Sequence, residues 1–251
     1  MKKRISFYKQ VECCKQCELR KKAVDYLRKE IKLSDGAEFT LYSLPDGKKR
    51  QPYMFIMQNP GMGRKKDYKK EIDDIKNAKG GLEKVNQFKR YLIVWLKKNS
   101  NFMTNFLNLL KKYQLITFDD VNAYIEDRFL KDFYVTDLVK CRADTNWLGT
   151  NRKRGEIDPS VCFNKFLKEE ITKVKPKLIF LFSSRAWDVF KKIYNLSNEK
   201  LKNAHGNLFK IKDGAYIIPL AHFSQRQFNN YLRDSYFDYL EEGIKAYTSK
   251  K

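Results

Sequence analysis

The sequence predicts an α/β protein, a three-layer α/β/α sandwich around a four-stranded parallel sheet. Three observations carry that prediction. Four strand-sized runs, Tyr53 to Met57, Phe133 to Val139, Leu178 to Phe182 and Tyr216 to Leu220, are almost continuously apolar, as strands are when helices cover both faces of a sheet. Stretches with helical spacing separate them, the alternation expected of parallel strands joined by crossovers. The 251 residues are 42% hydrophobic and 14% aromatic, enough to build a substantial core and too much for a disordered chain.

In chain order, the run at Tyr53 to Met57 opens the sheet. About 75 residues separate it from the second run, more than an ordinary crossover. Within that interval Gly80-Gly81 breaks a charged stretch, and Val85, Phe88, Leu92, Trp95 and Leu96 fall on one face of a helix. A further helix is expected from about Asn101 to Tyr113. The chain is therefore read as one domain over 1–251 with an inserted helical segment at about 64–130. At the end, Phe228, Tyr231, Leu232, Tyr239, Leu240 and Ile244 give a helix from about Gln227 to Tyr247 that closes the fold.

Lysine and arginine number 52 against 30 acidic residues, a formal charge of +22. Such an excess points to an anionic polymer as partner, and nucleic acid is the expectation, with strong salt dependence. The same bias also fits a lysine-rich codon composition. The longest apolar runs are too short to span a bilayer, and the basic start MKKRISFYKQ leads into no signal-length apolar stretch. A cytoplasmic, monomeric protein without membrane attachment is expected.

Five cysteines in a reducing compartment are metal ligands or core residues more readily than disulfides. Cys14 and Cys17 form a C-x2-C pair, Cys141 follows the second strand, and Cys162 lies further on. Thiolates at this spacing hold either an iron-sulfur cluster or tetrahedral zinc. Spacing alone leaves Cys141 and Cys162 equally readable as small buried residues, and Cys13 is a bystander.

The segment Phe133-Tyr-Val-Thr-Asp-Leu-Val-Lys-Cys141-Arg142 closely resembles the strand and following cysteine of the iron-sulfur uracil-DNA glycosylases. Their order is a C-x2-C pair, a Pro-Gly turn, a strand ending in Lys-Cys-Arg, a fourth cysteine and a late histidine. All five occur here in that order, across roughly 11–63 and 131–240. The resemblance implies that Cys14, Cys17, Cys141 and Cys162 hold a structural 4Fe-4S cluster, with zinc as the alternative.

It also implies an active site. After the first strand comes Met57-Gln58-Asn59-Pro60-Gly61-Met62-Gly63, a turn at the sheet's carboxyl edge, where α/β proteins bind ligands. In the superfamily this turn supplies the residue that positions the hydrolytic water. Asn59 matches the asparagine of the mismatch-directed thymine and uracil enzymes. Gln58 stands where the iron-sulfur enzymes have glutamate, and is read as a pocket wall beside Gly61. After the fourth strand, Ala221-His222-Phe223-Ser224-Gln225-Arg226 resembles the second superfamily motif, although the proline that follows the histidine there is absent. By that resemblance His222 hydrogen-bonds the departing base, Ser224 binds a phosphate, and Gln225 with Arg226 fills the vacated stack. Phe102, ahead of a leucine-rich helix, matches the aromatic that stacks on the flipped base. Lys140, Arg142, Arg226 and Arg233 are read as phosphate contacts, and His205 as a structural histidine.

Asp137 is the most informative departure, because uracil-excising relatives have asparagine there. A carboxylate only accepts hydrogen bonds, so it opposes uracil O4 and favours the exocyclic amine of cytosine. The expected substrate is a modified cytosine, such as those in the DNA of some bacterial viruses, and the expected reaction is monofunctional base excision leaving an abasic site. Two alternatives remain at this level: a uracil or hypoxanthine repair enzyme, and a non-catalytic DNA-binding protein with a cluster.

Overall fold

The computed structural model describes residues 51–58, 74, 77, 81–140, 158–223 and 235–250. Among the described residues five strands form one sheet: β1 (Tyr53–Met57), β2 (Phe133–Asp137), β3 (Leu178–Phe182), β4 (Phe209–Lys210) and β5 (Tyr216–Leu220). Their spatial order is β2-β1-β3-β5-β4. The four expected strands pair in parallel, with Met57 opposite Asp137 and Phe182 opposite Leu220.

The expectation of a four-stranded, purely parallel sheet is corrected by β4, which adds antiparallel to β5. It arises because Asp213-Gly214 turns the chain back on itself. Gly214 adopts φ +88, a conformation L side chains rarely take, and Ile211 N–H donates to Ala215 O at 2.9 Å. With only two residues, β4 lacks the apolar run by which strands are recognised. β2 also ends at Asp137 rather than Val139.

Side-chain alternation splits each strand between two cores. Met54, Ile56, Tyr134, Ile179, Leu181 and Ile217 face one helical layer. That layer holds α5 (Ser160–Cys162), which runs through a π-helical turn (Phe163–Leu167) into α6 (Lys168–Val174), then α7 (Ser184–Tyr194) and α8 (Leu201–Ala204). Phe55, Phe133, Val135, Phe180, Phe182 and Leu220 face the other layer: α1 (Gly81–Lys98), α2 (Ser100–Lys112), α3 (Val121–Asp127), α4 (Phe129–Asp132) and α9 (Tyr236–Thr248). Over its described part, the segment expected as an insertion thus supplies most of one layer. Leu92, Leu96, Met103, Phe106, Leu107 and Leu110 share the sheet's own core. Burying side chains of this size stabilises by about 1.5–3 kcal/mol each.

Phe55 is the centre of that second core, with the rings of Phe106, Phe129, Phe133, Phe180 and Phe182 all within 4.7–5.8 Å. On the same side α9 crosses the chain at Gly206, close enough that neither contact residue can carry a side chain. A Cβ on Gly243 would lie 2.1 Å from Gly206 O, and one on Gly206 would lie 2.4 Å from Tyr239 O.

Candidate active site

Because β1, β2, β3 and β5 run parallel, their carboxyl ends gather at one edge. Across the sheet, that edge carries Asp137 at the end of β2, Gln58 after β1, Ser183 after β3, and Ala221-His222 after β5. Three strand spacings separate the Asp137 end from the His222 end, about 14 Å of backbone.

Asp137 is 2% exposed and Gln58 9%. Alternation turns Asp137 towards the layer faced by Phe133 and Val135, since Tyr134 and Thr136 both reach α6 on the opposite side. The ladder continues past the strands and holds Asp137 in place: Leu138 N–H donates to Met57 O at 2.8 Å and Val139 N–H to Gln58 O at 3.0 Å.

Lys140 corrects an expectation. It was read as a phosphate contact, but its side chain is 2% exposed and its ammonium sits 2.6 Å from Glu170 Oε1, itself on a side chain only 4% exposed. That contact is ionic rather than aligned as a hydrogen bond. The ammonium also donates to Thr136 Oγ1 and, at 2.7 Å, to Asp137 O. Glu170 Oε2 accepts from Tyr134 OH at 2.8 Å and Thr136 Oγ1 at 2.7 Å. Lys140 therefore anchors β2 to α6 and cannot reach DNA. Its burial follows from Glu170, 30 positions along the chain, and no local pattern announces it.

His222 is positioned by the residue before it. Ala221 N–H donates to His205 Nδ1 at 3.1 Å, and Tyr236 OH donates to Ala221 O at 3.1 Å. With Nδ1 accepting, His205 is a neutral ring carrying its proton on Nε2. Burial lowers its pKa to about 4. Gly206 N–H donates to Pro219 O at 2.9 Å, so His205 and Gly206 together fasten the end of β5. The structural role expected of His205 is the one it has. Tyr236 is a supporting residue that sequence reasoning missed, since one more apolar-face tyrosine in a chain with 15 carries no signal.

Burial also lowers the His222 pKa to about 4. The ring is neutral near pH 7 and can donate one hydrogen bond without carrying a charge. It stacks on Phe223 at 4.9 Å and 14°, and Phe223 stacks on Phe102 at 4.1 Å and 12°. Phe182 meets Phe223 edge-on at 5.6 Å. Phe102 does lie at the site, but Phe223 takes one of its faces, so a base reaches that face only when Phe223 swings aside. Phe223 stands where the resembled motif has proline.

Ser183 was also missed. It is fully buried between the ends of β1 and β5 and adopts φ +120, where L side chains are strained. Its hydroxyl accepts from Ala186 N–H at 3.1 Å, capping α7, and its N–H donates to Leu220 O at 3.0 Å. Dihedral strain of this kind has no signature in residue type.

The model of the uracil-DNA glycosylase superfamily matches residues 45–243. The chain belongs to the uracil-DNA glycosylase superfamily. Members are DNA glycosylases, hydrolases that bind DNA and cleave bases from it. No curated protein matches the chain. Among the described residues no helix is long and apolar enough to cross a membrane.

Of the residues assigned by resemblance to a glycosylase site, Gln58, Phe102, Asp137 and His222 are described, and all four lie at the carboxyl edge. Asn59, Gly61, Arg142, Ser224, Gln225 and Arg226 lie outside the described residues, as do Cys14, Cys17 and Cys141. Cys162 is buried at 7% in the core that also contains Leu138 and Val139, the residues leading to Cys141. It sits where α5 enters the π turn, and it is the one of the four cysteines among the described residues. The donor set of four thiolates fits a 4Fe-4S cluster or zinc.

Proposed function

We propose that this glycosylase hydrolyses the N-glycosidic bond of a modified cytosine flipped out of DNA, leaving an abasic site. The supporting observation is Asp137, a carboxylate 2% exposed at the carboxyl edge, on the side of the sheet that carries the His222, Phe223 and Phe102 stack. There it accepts from the exocyclic amine of a cytosine ring and repels O4 of uracil, and a buried mismatch of that kind costs about 1–3 kcal/mol.

In the proposed reaction Asn59 orients a water towards C1′ of the sugar. The bond from C1′ to the base breaks with its electron pair passing to the base, and the water oxygen bonds to C1′ and loses a proton to solvent. Neutral His222 donates to the base oxygen as negative charge grows there, an interaction stronger in the transition state than before it. Gln58 and Gly61 wall the pocket. Phe223 moves off Phe102 as the base enters. Ser224, Arg142, Gln225 and Arg226 hold the distorted strand. Cys14, Cys17, Cys141 and Cys162 would hold a 4Fe-4S cluster, which supplies a covalent brace rather than chemistry. No motif places a lysine to form a Schiff base, so the reaction is read as monofunctional and the abasic strand is left uncut. The natural target is viral DNA with C5-substituted cytosines, met in the cytoplasm by the monomer.

The test is abasic-site formation on duplexes carrying uracil, a thymine mismatch, hypoxanthine, or cytosine with hydroxymethyl or glycosylated C5 groups. Release confined to the modified cytosines, lost in Asn59→Ala with DNA binding retained, is the expected result. Release of uracil by the wild-type chain overturns the Asp137 argument. No release from any substrate makes the protein a binder rather than an enzyme.

A further inference from the structure

At the opposite edge of the sheet, where β3 and β5 begin, lies a concave groove of about 570 Å3. Its walls include Lys175, Lys177 and Lys250, all exposed, and the rings of Tyr216 and Tyr247. Lys210 and Lys250 each hold an ammonium over the Tyr216 ring, 5.8 and 6.0 Å from its centre. Asp213 is the one carboxylate among the described residues of the lining, and Tyr194 OH donates to it at 3.1 Å. Lys175, Lys177 and Lys250 make no ion pair among the described residues.

We propose that this groove is a second nucleic-acid site, which takes unpaired nucleotides of a strand other than the stretch held at the catalytic edge. Its chemistry is that of single-strand recognition, an aromatic ring on which a base can stack beside ammonium groups that follow the phosphates. The volume admits a base in a pocket with walls from Tyr216 and Tyr247. A duplex offers no free base face to such a ring. Five-residue strands place the groove about 17 Å from the carboxyl edge, at the opposite end of the sheet from Gln58, Asp137 and His222. Lys175, Lys177 and Lys250, which have no carboxylate partner among the described residues, contribute to the formal charge of +22. A protein with two sites can pass from one strand to another without release.

The experiment titrates the full chain with an end-labelled oligothymidylate across a salt series. It compares wild type with K175E/K177E/K250E and with K192E/K200E/K202E, which has the same net charge but alters exposed lysines on and after α7. The groove variant is expected to bind more than tenfold more weakly, with the slope of log affinity against log salt reduced by about 2, near 0.7 for each lost contact. The control variant keeps the wild-type slope. Equal weakening in both variants, or in neither, overturns the proposal. So does a mononucleotide that binds wild type as tightly as the oligonucleotide. A second measurement needs no variant: the oligonucleotide should protect Lys175, Lys177 and Lys250 of the wild-type chain from acetylation, and equal modification with and without it overturns the proposal. Both readouts are of binding, so they stand whether or not a base is excised.

Discussion

Replacing Lys140 with methionine tests whether this lysine holds the fold or holds DNA. Its side chain is 2% exposed and that of its partner Glu170 is 4% exposed, with N and O 2.6 Å apart. Removing one member of a buried pair leaves the other charge in a poorly polar interior, at a cost of about 3–5 kcal/mol. Tyr134 and Thr136 still donate to Glu170 Oε2, which places the effect at the lower end of that range. In a chain of this size 1 kcal/mol moves Tm by roughly 2–4 °C, so a drop of about 10 °C is expected. The double variant K140M/E170Q should recover much of the loss, because the glutamine oxygen still accepts both hydroxyls while no charge is stranded. The assay is urea and thermal unfolding of wild type, both single variants and the double, alongside the salt dependence of DNA binding for the folded forms. If K140M unfolds with wild type while the slope of log affinity against log salt on duplex DNA falls by about 0.9, the lysine faces a phosphate and the reasoning is wrong.

Three further outcomes are expected. Gly243→Ala puts a Cβ 2.1 Å from Gly206 O, backbone against backbone, and should cost at least about 1–3 kcal/mol; wild-type stability in that variant would mean α9 does not cross there. His205 has its pKa lowered from 6.5 to about 4, so the unfolded state takes up its proton first as pH falls. The stabilisation is complete above pH 6.5 and is lost towards pH 4, amounting to about 2 kcal/mol by pH 5 at 1.36 kcal/mol per unit. His222 acts in the same direction. The urea midpoint should fall across that window in wild type and fall less in His205→Gln, and a flat wild-type profile would contradict the neutral ring. Finally, anaerobically purified protein should absorb broadly in the violet, and Cys162→Ser should lose both that band and thermal stability; a colourless protein that carries zinc would replace the cluster with the alternative metal.

The four parallel strands were legible because a strand covered on both faces must be apolar throughout, as YMFIM and LIFLF are. The carboxyl-edge positions of Gln58 and His222 followed from the same runs, since residues just after parallel strands share an edge, whereas Asp137 fell inside the run Phe133 to Val139 and marks the strand's end only in the structure. β4 went unread, because a two-residue strand has no periodicity of its own and the Asp213-Gly214 turn is the one local signal for it. Phe102 was singled out by resemblance alone, and that Phe223 would cover it depended on how the β5 end meets α2, a contact between residues more than a hundred positions apart.

What the sequence determined by itself is therefore what repeats locally or follows chain direction: the alternation of apolar strands with helices, the parallel sheet, the edge where the site forms, and the motifs that place the chain in its superfamily. What only the tertiary structure decided is the state of the polar groups. Lys140 reads in sequence like any other of 52 basic residues, and its role turns on meeting Glu170 in the interior. The clamp on Ala221 likewise requires His205 and Tyr236 to converge on one peptide from two separate elements. Burial and hydrogen-bond partnership are properties of packed neighbours, and a charged or aromatic residue type is compatible with both surface and core until those neighbours are in place.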